Sequence, residues 1–570
     1  MTTATPTPAP TAAAPSEDPA FHDLAGRFVA WFLEVTPTEA TRIGEHRHDG
    51  KWPDWSEAGQ AAERQVLERT LADLGKIAKD RLSTQERIDA AILENRIGYR
   101  LFAIGELRAA VVNPSAWTEM LGDGLDPLVT REFAPLDERL ASLRARLAAI
   151  PQVVAVAKAR LASPSKIHTE TAIGQNKGLI ALLRKGLAEH LAKATPERKK
   201  EVEAAAKIGA DALEDLQKFL EKDLLPRSSG DFRIGQARFQ KKLRFELDDD
   251  VDADKLAAGA RALLTETQEA MVATALELWP TVFPGTPAPK AEAAADRRAL
   301  VKKVLDRLAE DRPTNASIVS DAKKSLGEAT SFVREKDLVR IPDEPCRVIE
   351  MPEYRRGVAV AYCDSSGPLE KKQESFYAIA PTPKDWPQKR VDSFYREYNR
   401  SMLVDLTVHE AMPGHYLQAM HANAFKSPLR AIFSNGAFVE GWAVYAEWLL
   451  AKYGFGGPKV RLMRQKMILR LSCNAILDHE VHAGKIDEKE ALALMMNEGF
   501  QEEGEAVGKW KRARLTSAQL STYFFGFTEM MKLRTAAEKR PGFQERAYHD
   551  RLLSFGEPSF RHLRALVGGP

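Results

Sequence analysis

Val408-His409-Glu410-Ala411-Met412-Pro413-Gly414-His415-Tyr416-Leu417-Gln418 is the stretch on which the reading of this chain turns. It sets two imidazoles and a carboxylate within seven residues, a donor set that suits zinc, for which neutral histidine nitrogen is a preferred ligand. In the common metallohydrolase helix the two histidines stand four apart on one face, and the glutamate beside the first is the general base. Here the second follows the first by six positions. At about 100° per residue the rings would point about 120° apart on a straight helix, so a regular helix cannot aim both at one ion. Pro413 lacks an N–H and clashes with the preceding turn, and Gly414 tolerates unusual dihedrals; together they can bulge the helix and return His415 toward His409. The competing account is a helix ending at Met412, a Pro-Gly turn and two unrelated histidines. Spacing alone does not separate the two.

The next segment shifts the balance. Ser434-Asn435-Gly436 supplies cap and turn residues, and Ala437 to Tyr453 reads as a helix ending at Gly454. Phe438, Trp442, Tyr445 and Leu449 form its apolar stripe, while Glu440, Val444 and Glu447 share another. A carboxylate in so apolar a helix needs a partner. Glu440 follows His415 by 25 residues, enough for a turn back and an antiparallel helix. His409, His415 and Glu440 plus an open position would make a catalytic rather than a closed zinc site. Glu447 is a candidate to hydrogen-bond a ligand histidine and fix its tautomer; the alternative is a partly exposed salt-bridge residue.

The run His409-Glu410-x-x-Pro413-Gly414-His415-x-Leu417-Gln418, followed by Glu440-Gly441-Trp442-Ala443-x-Tyr445-x-Glu447, resembles the bacterial family classed as domain of unknown function 885. That family is in turn similar to gluzincin zinc metallopeptidases such as angiotensin-converting enzyme and carboxypeptidase Taq. The likeness covers nearly the whole chain after the first twenty residues, Gly122-Asp123-Gly124-Leu125-Asp126-Pro127 included. It implies a mainly α fold, a large helical metallopeptidase-like body with a small sheet near the active-site helix. It also implies that His409, His415 and Glu440 ligate zinc and that Glu410 is the base. Where the family carries an Asp-Thr-Gly-x-His run this chain has Asp478-His479-Glu480-Val481-His482, so only Asp478 and His482 carry over.

Working outward, residues 345–380 contain three β-prone runs, Cys346 to Met351, Val358 to Tyr362 and Ser375 to Ile379, separated by Gly and Pro. In gluzincin-like enzymes an edge strand at this place pairs with the substrate backbone; otherwise the sheet merely caps the helical body. On the other side of Glu440, Asp478 and His482 stand i, i+4, so on a helix the Asp could orient the imidazole. Tyr523, three residues before Gly526, is a candidate hydroxyl donor to an oxyanion, against the alternative of a core tyrosine.

The N-terminal part is helix-forming. Phe21, Leu24, Phe28, Trp31, Phe32 and Val35 recur at helical spacing before Pro37, and Ser83-Thr84-Gln85-Glu86 reads as a capping box. Segments near 56–78, 84–109, 135–149, 152–162, 170–194, 197–222, 253–279 and 295–311 are rich in strong helix formers. The division expected is a disordered Thr/Ala/Pro tail over 1–18, a helical lobe over 19–344 and a metal-binding catalytic lobe over 345–570, in one continuous body.

Composition narrows the function classes. Lys and Arg total 82 against 80 Asp and Glu, a net charge of +2, so nothing calls for nucleic acid. Three cysteines imply no disulfide framework. No transmembrane segment is expected. The opening residues have neither a basic start nor an apolar core, so the chain as written reads as cytoplasmic. Such a tail also follows a removed export signal, which keeps an exported mature form as the alternative. The activity expected is hydrolysis of a peptide or small amide by metal-activated water, with Zn²⁺ as cofactor, Glu410 as base and Tyr523 or His482 as oxyanion donor. The alternatives are a zinc hydrolase of a non-peptide amide or ester, and a helical binding protein with a structural metal. An intact Glu410 argues against the last, since a structural site needs no base.

Overall fold

The computed structural model describes residues 16–351, 360–370 and 374–568. The expected tail over 1–18 and the start of the run at Val358 therefore lie largely outside the described residues. The chain is mainly helical, with a single three-stranded sheet among the described residues. Its first helix is Asp18–Val35, which buries Phe21, Leu24, Phe28 and Phe32. At Ser83 only half of a capping box forms: Ser83 Oγ accepts from Glu86 N, but the Ser83 N–H goes to Asp18 instead of returning to Glu86.

The apolar cores divide the molecule differently from a boundary at 344. One core runs from Ala110 to Leu224, and another gathers residues from Phe239 to Leu563. Helices between 236 and 335 thus pack with the lobe that follows residue 345. A third core joins residues of Phe21–Ile97 to Leu429, Ile432, Phe433 and Leu566, tying the N-terminal helices to the far end of the chain. Leu136–Arg160 is one helix running through Pro151, where the sequence suggested two. Proline removes one hydrogen bond there, but burying Leu147, Ile150, Val153 and Val154 on a single continuous face outweighs that loss. This is also the one helix among the described residues long and apolar enough to cross a membrane, yet its apolar face is packed into the Ala110–Leu224 core. Pro114–Thr130 is helical despite its Gly, Asp and Pro content. Asn113 caps it through Oδ1, and Trp117, Leu121, Leu125 and Leu128 hold it down.

The strands are β1 (Cys346–Glu350), β2 (Ala361–Asp364) and β3 (Ser375–Ile379), in the order β1-β3-β2. β1 runs parallel and β2 antiparallel to the central β3. Among the described residues β2 is therefore an edge strand, and it rests against the helix Arg400–Glu410 that ends in the His409-Glu410 pair. The buried Tyr377 hydroxyl on β3 meets Thr407 Oγ1 on that helix at 3.2 Å, which fixes sheet against helix.

Candidate metal centre

Asn399 starts the first metal helix, Oδ1 accepting from Ser401 N and Met402 N. That helix stops at Glu410 and a second, His415–Asn423, begins after four intervening residues. The chain is thus broken rather than bulged between the histidines, yet both accounts drawn from spacing are partly met: the helix does end, and the histidines still converge. Gly414 N donates to Val408 O at 2.9 Å, and a Cβ on Gly414 would stand 1.8 Å from His409 O. Only glycine fits so close a return. Trp442 Nε1 donates to Pro413 O at 2.8 Å and pins the connection onto the third helix, Gly436–Lys452.

Ligand atoms of His409, His415 and Glu440 all lie within 4.8 Å of one another. Glu440 Oε2 stands 3.7 Å from His409 Nε2 and 3.5 Å from His415 Nε2. Bonds of about 2.1 Å at a tetrahedral angle place ligand atoms about 3.4 Å apart, so the spacing suits a single zinc ion. Glu440 Oε2 is buried with no hydrogen bond of its own, which an ion would remedy. The donor set and the geometry both fit the metal. Burial would raise the Glu440 carboxyl, but His415 and His409, with the neighbouring Tyr523 hydroxyl, hold it below its ordinary value. Burial depresses His409, and a neutral imidazole is the form that ligates.

The other nitrogen of His409 is also engaged. Its Nδ1 lies 2.7 Å from Glu447 Oε1, a hydrogen bond that sets the tautomer with Nε2 facing the centre. Behind Glu447 lie Asp405 and Arg464; burial pushes both carboxyls up, Glu447 raises Asp405 further, Glu440 and Glu410 raise Glu447, and Arg464 counteracts on both. The sequence reading missed this buried layer. Asp405, one turn before His409 in an otherwise apolar run, carries a local signal; Arg464 carries none. Glu447→Ala should weaken zinc binding by about 10- to 100-fold, read by competition with a chelator. Wild-type affinity in that variant would deny Glu447 its orienting role.

Glu410 accepts a hydrogen bond from the Cys363 backbone N–H at 3.0 Å. In the antiparallel pairing of β2 with β3, an N–H free to reach Glu410 belongs to a residue facing away from β3. The carboxylate next to His409 therefore sits on the outer edge of β2. Both line a cleft of about 2620 Å³ that Glu119, Asp123, Glu170 and Gln175 of the N-terminal helices also line.

Tyr523 is delivered by a helix crossing. The helix Ser521–Glu538 meets Gly436–Lys452 at Gly526 and Gly441, where a Cβ on Gly526 would stand 2.0 Å from Ala437 O. Backbone contact there brings Tyr523 beside Glu440. Burial, with Glu440 nearby, pushes the Tyr523 hydroxyl up to about 12, so it stays a proton-bearing donor. Gly526→Ala should cost about 1–3 kcal/mol by overpacking, seen as earlier thermal unfolding. An unchanged transition would show that the two helices separate freely.

His482 and Asp478 are not brought to this site. His482 Nε2 donates to the carbonyls of Ala513 and Thr516 at 2.9 and 2.7 Å, and the ring stacks on Phe239 away from the cleft lining. With its donor spent on backbone, His482 is not placed to reach an oxyanion. Nor does Asp478 orient it: the Asp478 carboxylate accepts from Ala518 N, Ser521 N and Ser521 Oγ. Asp478 instead anchors the start of the Tyr523 helix. His479 pairs with Asp254 at 2.7 Å, and among the described residues His409, His415 and Glu440 form the one group able to hold a metal. The three cysteines are free.

Fold and site together define a large, predominantly helical protein with an open His-His-Glu donor set in an interlobe cleft. Residues 37–567 match the family described as "Bacterial protein of unknown function (DUF885)", and the chain belongs to that family. Its fold is similar to that of a "putative lipoprotein of unknown function" from Shewanella oneidensis, with 30% identity, a TM-score of 0.80 and coverage of 96% of this chain and 99% of the other. A "putative lipoprotein" from Colwellia psychrerythraea shares the fold at 17% identity, TM-score 0.78, covering 97% and 99%. No curated protein matches.

Proposed function

We propose that this protein is a zinc-dependent peptidase of the gluzincin type. The observation that carries the reading is the convergence of His409, His415 and Glu440 beside a carboxylate, Glu410, that lies on an open strand edge in a peptide-sized cleft. Zinc, held by those three residues, would supply Lewis acidity that activates water and polarises a carbonyl near neutral pH. Glu410 would take the proton of the attacking water and hand it to the leaving amine. The Cys363 N–H keeps its carboxylate oriented for both tasks. Tyr523 would donate to the developing oxyanion, and the outer edge of β2 would align an extended substrate by backbone pairing.

The test is metal analysis of the purified protein with a peptide-library digest. Bound zinc and cleavage abolished by chelation are expected; zinc without cleavage of any peptide would favour a non-peptide amide or ester, or a structural metal. Tyr523→Phe should retain zinc, leave KM nearly unchanged and lower kcat by about 10²- to 10³-fold, the loss typical of one oxyanion donor. A silent Tyr523→Phe would remove the hydroxyl from the mechanism. The lipoprotein descriptions of the structural relatives favour the exported form over the cytoplasmic one, and fractionation of the producing cell decides between them.

A further inference from the structure

Residues 365–370, which follow β2, form a strap along the cleft: Ser365, Ser366, Gly367, Pro368 and Glu370 all line it. The strap is tied from two sides. Asn423, the last residue of the His415 helix, donates from Nδ2 to Ser366 O at 3.3 Å. From the N-terminal helices Arg131 pairs with Asp364 and donates to Ser365 O at 3.1 Å, and Leu369 N donates to Ile43 O at 2.9 Å. Gly44, at φ 94°, admits this approach, since a Cβ there would stand 2.4 Å from Glu370 N. Cys363, whose N–H holds Glu410, lies two residues before Ser365, so the seating of the strap bears on that strand edge.

His46 adds a tie of a different kind. Its Nδ1 lies 3.0 Å from Asp49 Oδ2 and its Nε2 3.1 Å from Glu370 Oε1, and the ring lies flat on Phe133 with centroids 3.6 Å apart at 4°. Both nitrogens donate only in the imidazolium; a neutral ring has one N–H and turns a lone pair toward the second carboxylate. A cation also gains from the aromatic face. Burial would push the ring down, yet the hydrogen bonds to Asp49 and Glu370 hold it up at about 9. Neighbouring charges are engaged with other groups: Glu45 with Arg47 beside His48, Arg131 with Asp364, and Arg139, 5.9 Å from the Phe133 centroid, with the carbonyls of Ala134 and Leu128. Arg146 donates at 2.8 Å to the Thr41 hydroxyl, which in turn lies 2.6 Å from Asp49 Oδ1. Asp49, 4% exposed, keeps Thr41 whatever the ring does, whereas the Glu370 side chain, 15% exposed, can turn to water. A neutral ring therefore keeps Asp49 and gives up Glu370.

We propose that His46 is a positioning residue: as an imidazolium it ties the strap after β2 to the N-terminal helices and so holds the strand edge that carries the Cys363 N–H, and loss of its proton in alkaline solution loosens that edge. The ring is held above its ordinary value of 6.5, so the tie is fully present below about 6.5 and is lost as pH rises through about 9. Its effect on substrate rests on the hydrolase reading; the movement of the strap does not, and is measured separately.

Amide hydrogen exchange of peptides spanning 361–370, corrected for the intrinsic rate, is followed by mass spectrometry from about pH 6 to about pH 10 in the whole protein and in His46→Gln, which donates without charge. Near neutral pH the variant should exchange about 10-fold faster, the order of one charge-assisted hydrogen bond, and the two proteins should converge above about 9. Glu370→Gln removes one of the two carboxylates, so its alkaline step should fall at lower pH than in the wild type; this variant also carries the test if His46→Gln does not fold. With peptide substrate, His46→Gln should raise KM about 3- to 10-fold near neutral pH while zinc content and kcat hold, the mark of lost substrate alignment. Equal exchange near neutral pH overturns the proposal, and so does a difference that persists to the alkaline end, which would reduce His46 to packing on Phe133. An unchanged KM in an active His46→Gln enzyme overturns the positioning role as well. A His46-dependent alkaline step in a protein that cleaves no peptide upholds the tie and sinks the hydrolase reading instead.

Discussion

Replacing Glu410 with Gln should leave zinc content and thermal unfolding at wild-type values while lowering peptide turnover by about 10²- to 10⁴-fold, the contribution of a positioned general base. The separation follows from where the residue sits. Glu410 is adjacent in sequence to His409 but is absent from the three-residue donor group. Its oxygen instead accepts from the Cys363 N–H on the edge of β2. A glutamine side-chain oxygen can keep that hydrogen bond, so strand and helix stay together, but an amide cannot take a proton from water. Metal analysis with steady-state kinetics on a peptide identified by library digestion makes the measurement. Wild-type turnover in Glu410→Gln would end the base mechanism and leave the structural-metal alternative as the better one.

Glu440→Ala should strip the centre. Glu440 Oε2 lies between the two imidazoles at 3.7 and 3.5 Å, and without it two neutral nitrogens remain to hold a divalent ion. The affinity loss should exceed the roughly 10- to 100-fold expected of Glu447→Ala, which only orients a ligand. In the wild type, zinc at about 100 times its dissociation constant should add about 2.7 kcal/mol of stability through mass action; in Glu440→Ala the same addition should leave the unfolding transition unmoved. The protein should still fold, because the helix Gly436–Lys452 is held by the buried Phe438, Trp442, Tyr445 and Leu449 on its other face. Full zinc occupancy in this variant would show that the third ligand is another residue.

The sequence by itself determined what depends on short-range chemistry. Helical periodicity, the Asn435 cap and the break at Pro413-Gly414 are local, so the mainly helical body and two successive helices around the histidines were legible from neighbouring residues. So was the small sheet ahead of them, because β-prone runs between Gly and Pro stand out in an otherwise helix-forming chain. Burial overrode local preference at Pro151, which lies inside one continuous helix where the sequence suggested two. Tertiary structure alone decided the surroundings of the candidate centre. It brought the Cys363 N–H to Glu410 across 47 positions, set Arg464 behind Glu447, and drove Gly526 onto Ala437 and Gly441 so that Tyr523 meets Glu440. It also turned His482 to the carbonyls of Ala513 and Thr516 and Asp478 to Ala518 and Ser521, against their i, i+4 pairing. The physical reason is common to all of these. A buried donor or acceptor must find its partner among whatever backbone and side chains are packed against it, and which groups those are depends on how helices distant in sequence cross.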